Sequence, residues 1–511
     1  MAVGKQREQA VSDPGRRRWS RLLPPWAVVG WTGLWIGVAA LVVLPYMHSY
    51  RHLSPFDETV HLDYLVKIQH GHLVRGGERI GPVAMRTAVC RGSDLKDYQA
   101  PRCPQKVLRP GAFPFGGFNT AYPDPPVYYV VTALGADVVG ALPGVHDVVT
   151  AARSIGVLWL GAGLSLTFFL ALRLGANRWA ATGATLIVAS NPAVAHAMAT
   201  ITSDAPSLLV GALLCLVALS FVRGQAAWWW LVPAAAATTA VKATGLMIVG
   251  LVVIFLLLQL VGSSRSARTS RGAQPEVAPR GPQDHPETDV TSAHTTGPTT
   301  GPTTGLTTGT ELHPATPDLL DRPAPLPRRA LWLGILAVVV PPVLVLGCWT
   351  VVNKLTELPA VADITQNQYF YVDSIGWDQL ISNLLNLLTP LQNGYLPPSM
   401  VNPTIGVLMA FLNLVAIAGV ATLAWSGGRG TVQTRLAIAT AASMVLGGIA
   451  LVLLIFVGSH TYIAIPSRYG LSLVPALAAS LAVVASGRRA GGLALTGLGA
   501  ATLVALLAGT L

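Results

Sequence analysis

The sequence predicts an all-α polytopic membrane protein: a bundle of about eleven transmembrane helices whose large first extracytoplasmic loop carries juxtamembrane helices. Three observations predict it. Of 511 residues, 52% are hydrophobic and 11% are charged, whereas a soluble domain carries roughly 25% charged residues. Mean hydropathy is +0.54. Apolar stretches near the roughly 20 residues needed to cross a bilayer recur along the chain, with arginines between them. These figures exclude collagen, coiled-coil and disordered classes. The net charge of +11 then reads as Lys and Arg at cytoplasmic loop ends, not as a nucleic-acid surface.

The expected spans are 26–47, 148–172, 179–199, 206–222, 228–243, 246–261, 330–352, 404–425, 436–457, 466–485 and 491–511. The first follows the basic run Arg16, Arg17, Arg18 and Arg21, and no small-residue cleavage site follows it. It therefore reads as a signal anchor with the N-terminus in the cytoplasm. Cytoplasmic loops then hold Arg173 and Arg178, Arg223, Arg265, Arg268 and Arg271 with Arg328 and Arg329, Arg429 and Arg435, and Arg488 and Arg489. The C-terminus falls outside. A further span at 127–142 would invert that pattern, and Asp137 at its middle would be costly in a bilayer. That segment is expected as a helix against the outer membrane face.

Four units follow: a cytoplasmic tail at 1–25, an N-terminal membrane module at 26–261 with an outer loop at 48–147, a linker at 262–327, and a C-terminal module at 328–511 with an outer loop at 353–403. The linker contains TTGPTTGPTTGLTTG and has no composition for a packed core, so it reads as disordered and cytoplasmic. Cys90 and Cys103 fall in the first outer loop, where thiols oxidise, and a disulfide is expected. Two free thiols would require the whole topology to be inverted.

The first outer loop opens with Ser54-Pro55-Phe56-Asp57-Glu58-Thr59-Val60-His61-Leu62-Asp63-Tyr64. Ser then Pro followed by acids predicts a helix start, with Ser54 as N-cap and Pro55 at the first position. Asp57, His61 and Tyr64 then share one face. Asp57 is either a cap or a carboxylate held as a general base just outside the first span. Lys242, in TTAVKATG, and Arg468, next to Tyr469 in PSRYG, sit at outer span ends, against the positive-inside pattern. Each is either a snorkelling anchor or a phosphate ligand. Asn191, His196 and Asp204 mark polar points around Pro192, as a kink with satisfied side chains or as a cavity wall. No Asp-x-Asp, Walker A, His-Glu-x-x-His or Cys-x-x-Cys motif is present, which leaves nucleotide-sugar transferases of the soluble type, ATPases and zinc proteases unsupported.

Asp-Glu then His before KIQHGHL, YPDPPVYYVVTALG, AARSIGVLWLGAGLSLTFFLALRLG, SNPAVAHAMATITSDAPSLL, AVKATGL and SRYGLSLVPALAA occur in this order. The chain resembles a bacterial family of polytopic membrane proteins of unassigned function grouped with the GT-C glycosyltransferases. That resemblance implies a bundle of about eleven to thirteen spans and an acidic catalytic base in the first outer loop. It also implies a sugar donor on a polyprenyl phosphate. Asp57 matches the acidic position, with Glu58 as the neighbour that could replace it. Lys242 and Arg468 match positions that hold lipid phosphate, and His61, Tyr64, His196, Asp204 and Tyr469 are further candidates for substrate binding. The chain has no large soluble C-terminal domain such as some oligosaccharyl- and arabinosyltransferases carry, which shifts acceptor recognition to the two outer loops. The implied partners are a polyprenyl-phosphate-linked sugar, membrane lipid and a cell-envelope glycan, lipid or protein acceptor, with no nucleic acid. No motif requires a cofactor, and a divalent cation is left open. A lipid-linked sugar flippase and a membrane scaffold are the competing readings. A flippase would use the same cations but has no need of a carboxylate at the acceptor.

Overall fold

A computed structural model describes residues 24–55, 57–95, 98, 101–103, 107–145, 147–272, 326–360, 372–391, 403–428 and 430–510. Most of the expected cytoplasmic tail, the repeat-bearing part of the linker and parts of the second outer loop lie outside the described residues. Residues 1–261 with 326–511 form one compact unit, separate from 262–325. This unit holds the membrane helices and the candidate site.

The helices are α1 (Pro25–Ser49), α2 (Glu58–Gln69), α3 (Pro82–Arg91), α4 (Val127–Gly140), α5 (Val148–Ser154), α6 (Gly156–Leu174), α7 (Arg178–Ala189), α8 (Pro192–Ala199), α9 (Ser207–Val222), α10 (Leu231–Val241), α11 (Leu246–Gly272), α12 (Arg328–Thr356), α13 (Trp377–Leu388), α14 (Pro403–Ser426), α15 (Val432–Ser459), α16 (Val474–Ala485) and α17 (Arg489–Thr510). Sheet pairing among the described residues is limited to two isolated bridges, Leu53 with Ser93 and Arg79 with Phe118. This is the all-helical, multi-pass membrane fold class that the composition predicts.

Among the described residues, eight helical segments are long and apolar enough to cross a membrane, against about eleven expected from the length rule. The differences have local causes. The stretch 179–199 is two helices. Asn191 caps the second, its Oδ1 accepting from Ala193 N–H at 2.9 Å and Val194 N–H at 3.3 Å, while Pro192 takes the first position. Proline has no N–H to continue the preceding helix. Asn191 Nδ2 donates to the Leu391 carbonyl at 2.7 Å, so the break is a satisfied kink. The stretch 228–243 becomes a 3₁₀ turn at Trp228–Trp230 followed by the 11-residue α10. α9, with 16 residues, is an apolar helix shorter than these eight. In the other direction, α11 runs on to Gly272, beyond the expected linker boundary.

α6 is the hub. It packs on α1, α9 and α16, while α7 packs on α17, α10 on α12 and α14 on α16. Two of the close approaches that require glycine involve these helices. A Cβ at Gly183 in α7 would strike the Leu495 backbone of α17, and one at Gly211 in α9 would strike the Ser472 carbonyl. Only a bare backbone allows this approach, and at Gly211 it seats the 3₁₀ segment Ser467–Leu473 that carries Arg468.

α4 has 14 residues, about 21 Å of helix, too little for a hydrocarbon core of about 30 Å. Tyr128, Tyr129, Thr132, Ala133 and Ala136 face inward. Val127, Val130, Val131, Leu134 and Val138 form an exposed apolar stripe, suited to a membrane face. Gln69 Nε2 donates to Asp137 at 2.6 Å. Cys90 and Cys103 form a disulfide, with Cα atoms 5.0 Å apart.

Candidate active site

The expected helix start is displaced. α2 begins at Glu58, not at Pro55, and Asp57 is its N-cap residue with φ 60° and ψ 14°. That left-handed conformation is uncommon for a residue with a side chain, although Asp tolerates it. It turns the carboxylate away from the capping position, and Asp57 makes no side-chain cap hydrogen bond. The cap role considered from sequence is therefore absent. Asp57 lines a solvent-reached recess and feels the charges of Arg468, Lys242, Asp124 and Asp204. Burial by the walls raises its pKa above the ordinary value, against the pull of Arg468 and Lys242. Solvent access moderates the rise.

Glu58, next in sequence, is fully buried. Its Oε1 accepts from Arg153 Nε and Ile201 N–H, each at 2.8 Å. Its Oε2 accepts from Arg153 Nη2 at 2.7 Å and Ser54 N–H at 2.6 Å. Arg153 also donates to the Tyr50 carbonyl at 2.7 Å and the His52 carbonyl at 2.6 Å. This fork ties the segment after α1 to α5.

Lys242, Arg468 and Asp204 meet. Lys242 Nζ lies 2.7 Å from Asp204 Oδ1 and Arg468 Nε lies 3.0 Å from Asp204 Oδ2. Each comes from an interruption of regular helix. Lys242 is extended between α10 and the 3₁₀ turn Ala243–Gly245, Asp204 lies between α8 and α9, and Arg468 is in Ser467–Leu473. Tyr469 packs against both cations, 4.8 Å from Lys242 Nζ and 5.6 Å from Arg468 Cζ to its ring centre. Two cations against one carboxylate leave one positive charge on the cluster. Burial pushes Asp204 up, but Lys242 and Arg468 outweigh it and hold its carboxyl below the ordinary value. A depressed carboxylate adds stability above its unfolded pKa of about 3.9, and this is lost as pH falls through the folded value. The unfolding-temperature difference between wild type and Asp204→Asn is therefore expected to hold constant from pH 7 to about 5 and to shrink below about pH 4. A difference that shrinks already between pH 7 and 5 would contradict this assignment.

His61 and Tyr64 converge on Tyr129. His61 Nδ1 and the Tyr129 hydroxyl share a hydrogen bond of 2.7 Å, and the Tyr64 and Tyr129 rings stack at 4.0 Å. Burial lowers the His61 pKa to about 3, helped by Lys242, so His61 is neutral. His196 is pinned on both nitrogens, by Tyr46 Oη and Ser54 Oγ, each at 2.8 Å. It braces α1 and the loop entry from α8.

Asp124 is a site residue that the sequence reading does not single out. Ser203 Oγ donates to its Oδ2 at 2.6 Å, and the Tyr129 hydroxyl lies 3.4 Å away. Burial raises its pKa against Lys242. A carboxylate between prolines in Pro123-Asp124-Pro125-Pro126 is held in a stiff turn, which was the available signal. Arg153 is a second site residue that the sequence reading does not single out, although it too lies at the end of an apolar stretch. Among the described residues no group of three or more His, Cys, Asp or Glu is arranged to hold a metal ion.

No family model and no curated protein matches the chain. Among solved structures it is similar to the crystal structure of ArnT from Cupriavidus metallidurans bound to undecaprenyl phosphate. The TM-score is 0.45 and the identity 16%, covering 93% of this chain and 64% of that one. The chain thus spans just under two thirds of the length of that structure.

Proposed function

We propose that this chain is a membrane glycosyltransferase that moves a sugar from a polyprenyl-phosphate donor to an acceptor on the outer side of the membrane. One observation carries the reading. Asp57 is released from capping its own helix and lies within electrostatic reach of two cations, Lys242 and Arg468, that Asp204 holds at helix interruptions. A carboxylate next to paired cations suits a displacement in which a hydroxyl loses a proton and a phosphate gains charge.

In this mechanism Asp57 accepts the proton of the acceptor hydroxyl. The hydroxyl oxygen attacks the anomeric carbon, the bond from that carbon to the phosphate oxygen breaks, and polyprenyl phosphate leaves. Lys242 and Arg468 offset its growing negative charge. Single displacement inverts the anomeric centre. Glu58 serves as an anchor for Arg153, and His61, Tyr64 and Tyr129 support Asp124.

Replacing Lys242 or Arg468 with Gln is expected to weaken binding of undecaprenyl phosphate by about 1.5–3 kcal/mol, the scale of a charge-assisted hydrogen bond, or roughly 10- to 150-fold in Kd. Unchanged affinity in both variants would return them to the role of structural anchors for Asp204.

The reading also sets the orientation: tail 1–25 and linker 262–327 in the cytoplasm, loops 48–147 and 353–403 outside, and the membrane modules 26–261 and 328–511 between them. A green fluorescent protein inserted in 273–325 is expected to fluoresce, and alkaline phosphatase at the same place to be inactive. Active phosphatase there would invert the topology and remove the site from the outer face.

A further inference from the structure

The recess over Asp57 is built differently from the ion-paired cluster behind it. Its lining is largely apolar, with four aromatic rings, Tyr98, Phe113, Phe115 and Phe118, among aliphatic side chains, and Thr59 beside Asp57; no Lys or Arg lines it among the described residues. Three non-glycine residues have left-handed backbone among the described residues: Asp57 at φ 60°, Phe115 at φ 53° and His460 at φ 50°. Two of the three line this one recess. A phenylalanine in that conformation is disfavoured, and such strain persists only where the surroundings over-determine it, commonly at ligand sites.

The surroundings do so here. Phe115 is followed by Gly116 at φ 65° and Gly117 at φ 72°. Ile80 N–H donates to the Gly117 carbonyl at 2.8 Å, and Phe118 N–H to the Phe115 carbonyl at 3.2 Å. The Arg79 guanidinium lies 5.0 Å from the centre of the Phe118 ring. The Cys90–Cys103 disulfide closes the segment that contains Tyr98, whose ring centre is 6.3 Å from that of Phe113. The Tyr98 hydroxyl is buried with no hydrogen-bond partner among the described residues.

We propose that this recess binds a sugar ring of a carbohydrate acceptor, its apolar face against the aromatic wall and one hydroxyl presented to Asp57. The inference rests on the transferase reading and names its acceptor class. The flat face of a sugar ring directs C–H bonds, which carry partial positive charge, at the negative face of an aromatic ring. Its rim offers hydroxyl donors to a carboxylate and partners for a tyrosine hydroxyl. An acyl chain would strip water from Asp57 and give it no partner, at a cost. Among the described residues no cation lines the recess to partner a phosphate beside Asp57.

The test is ligand-observed saturation-transfer NMR on the full-length protein in lipid nanodiscs. The probes are methyl glucopyranoside, galactopyranoside, mannopyranoside and arabinofuranoside, with a capped tripeptide and decanoate as the other occupants. At least one glycoside is expected to saturate. Phe115→Gly should weaken it about tenfold or more, while its unfolding temperature stays at or above wild type, because glycine relieves the positive φ. Phe115→Tyr should retain binding. Three results would overturn the proposal: no glycoside saturating up to tens of millimolar, Phe115→Gly binding as wild type does, or the tripeptide or decanoate alone showing the Phe115 dependence. Lipid binding by Lys242→Gln separates the two levels. Glycoside failure with the lipid effect intact removes only the acceptor class, whereas failure of both removes the transferase reading.

Discussion

Asp57→Asn is expected to lower turnover by roughly 10²–10⁴-fold, the range for loss of a general base, while expression and donor binding stay near wild type. Asn has the same shape, tolerates a left-handed backbone and cannot take a proton. No cap hydrogen bond is lost, since Asp57 makes none. Stability should move the other way from activity. A carboxyl whose folded pKa is raised favours the folded state below its unfolded pKa, and that contribution is lost as pH rises through the folded value. At neutral pH the ionised Asp57 therefore costs stability, and the neutral Asn variant should unfold at the same temperature or higher. The acid limb of the wild-type rate profile should lie above the ordinary aspartate value of about 3.9, and it should be missing from the residual activity of the variant. Wild-type turnover in Asp57→Asn would mean that Asp57 is not the base.

Glu58→Gln is expected to act in the opposite sense, costing about 3–5 kcal/mol of stability, the scale for orphaning one member of a buried ion pair. Glu58 and Arg153 are 0% and 1% exposed at their side chains. In the Gln variant an N–H₂ group replaces an oxygen that accepts from other donors, so donor faces donor around Arg153. Arg153→Met should be similarly damaging, because Glu58 is then buried unpaired. The Glu58→Gln, Arg153→Met double variant should be less unstable than the sum of the two. Thermal unfolding of the four proteins in one detergent measures this. A Glu58→Gln variant as stable as wild type would refute the anchor role. Adjacent carboxylates thus separate by phenotype, one losing rate and the other losing fold.

How far the sequence reveals this arrangement depends on the kind of signal. Hydropathy and arginine placement identify a multi-span helical protein because burial in lipid demands long apolar runs. They do not reveal that 179–199 and 228–243 are not single continuous helices, since window composition there is apolar while Asn191-Pro192 and the Trp228–Trp230 turn break the backbone. Charge at span ends that are expected to lie outside picks out Lys242 and Arg468, because the positive-inside pattern does not account for a cation there. It does not reveal that both serve the same carboxylate, since Asp204, Lys242 and Arg468 are brought together only by tertiary packing. Helix-start grammar in Ser54-Pro55 predicts the right element with the wrong first turn. Tertiary demand on Glu58 from Arg153 starts the helix three residues later than that grammar implies, and leaves Asp57 in a conformation that propensity alone does not suggest.

The most direct test of the central claim is whether the donor's phosphate ester is broken. Purified protein in liposomes is given a polyprenyl-phosphate sugar labelled in the sugar, with and without an envelope glycan acceptor, and released polyprenyl phosphate is counted against labelled acceptor. The account predicts equal amounts of both products, formed only when acceptor is present and nearly abolished in Asp57→Asn. Movement of the intact labelled donor across the bilayer, with no ester cleavage and no dependence on Asp57, would contradict it and make the protein a flippase.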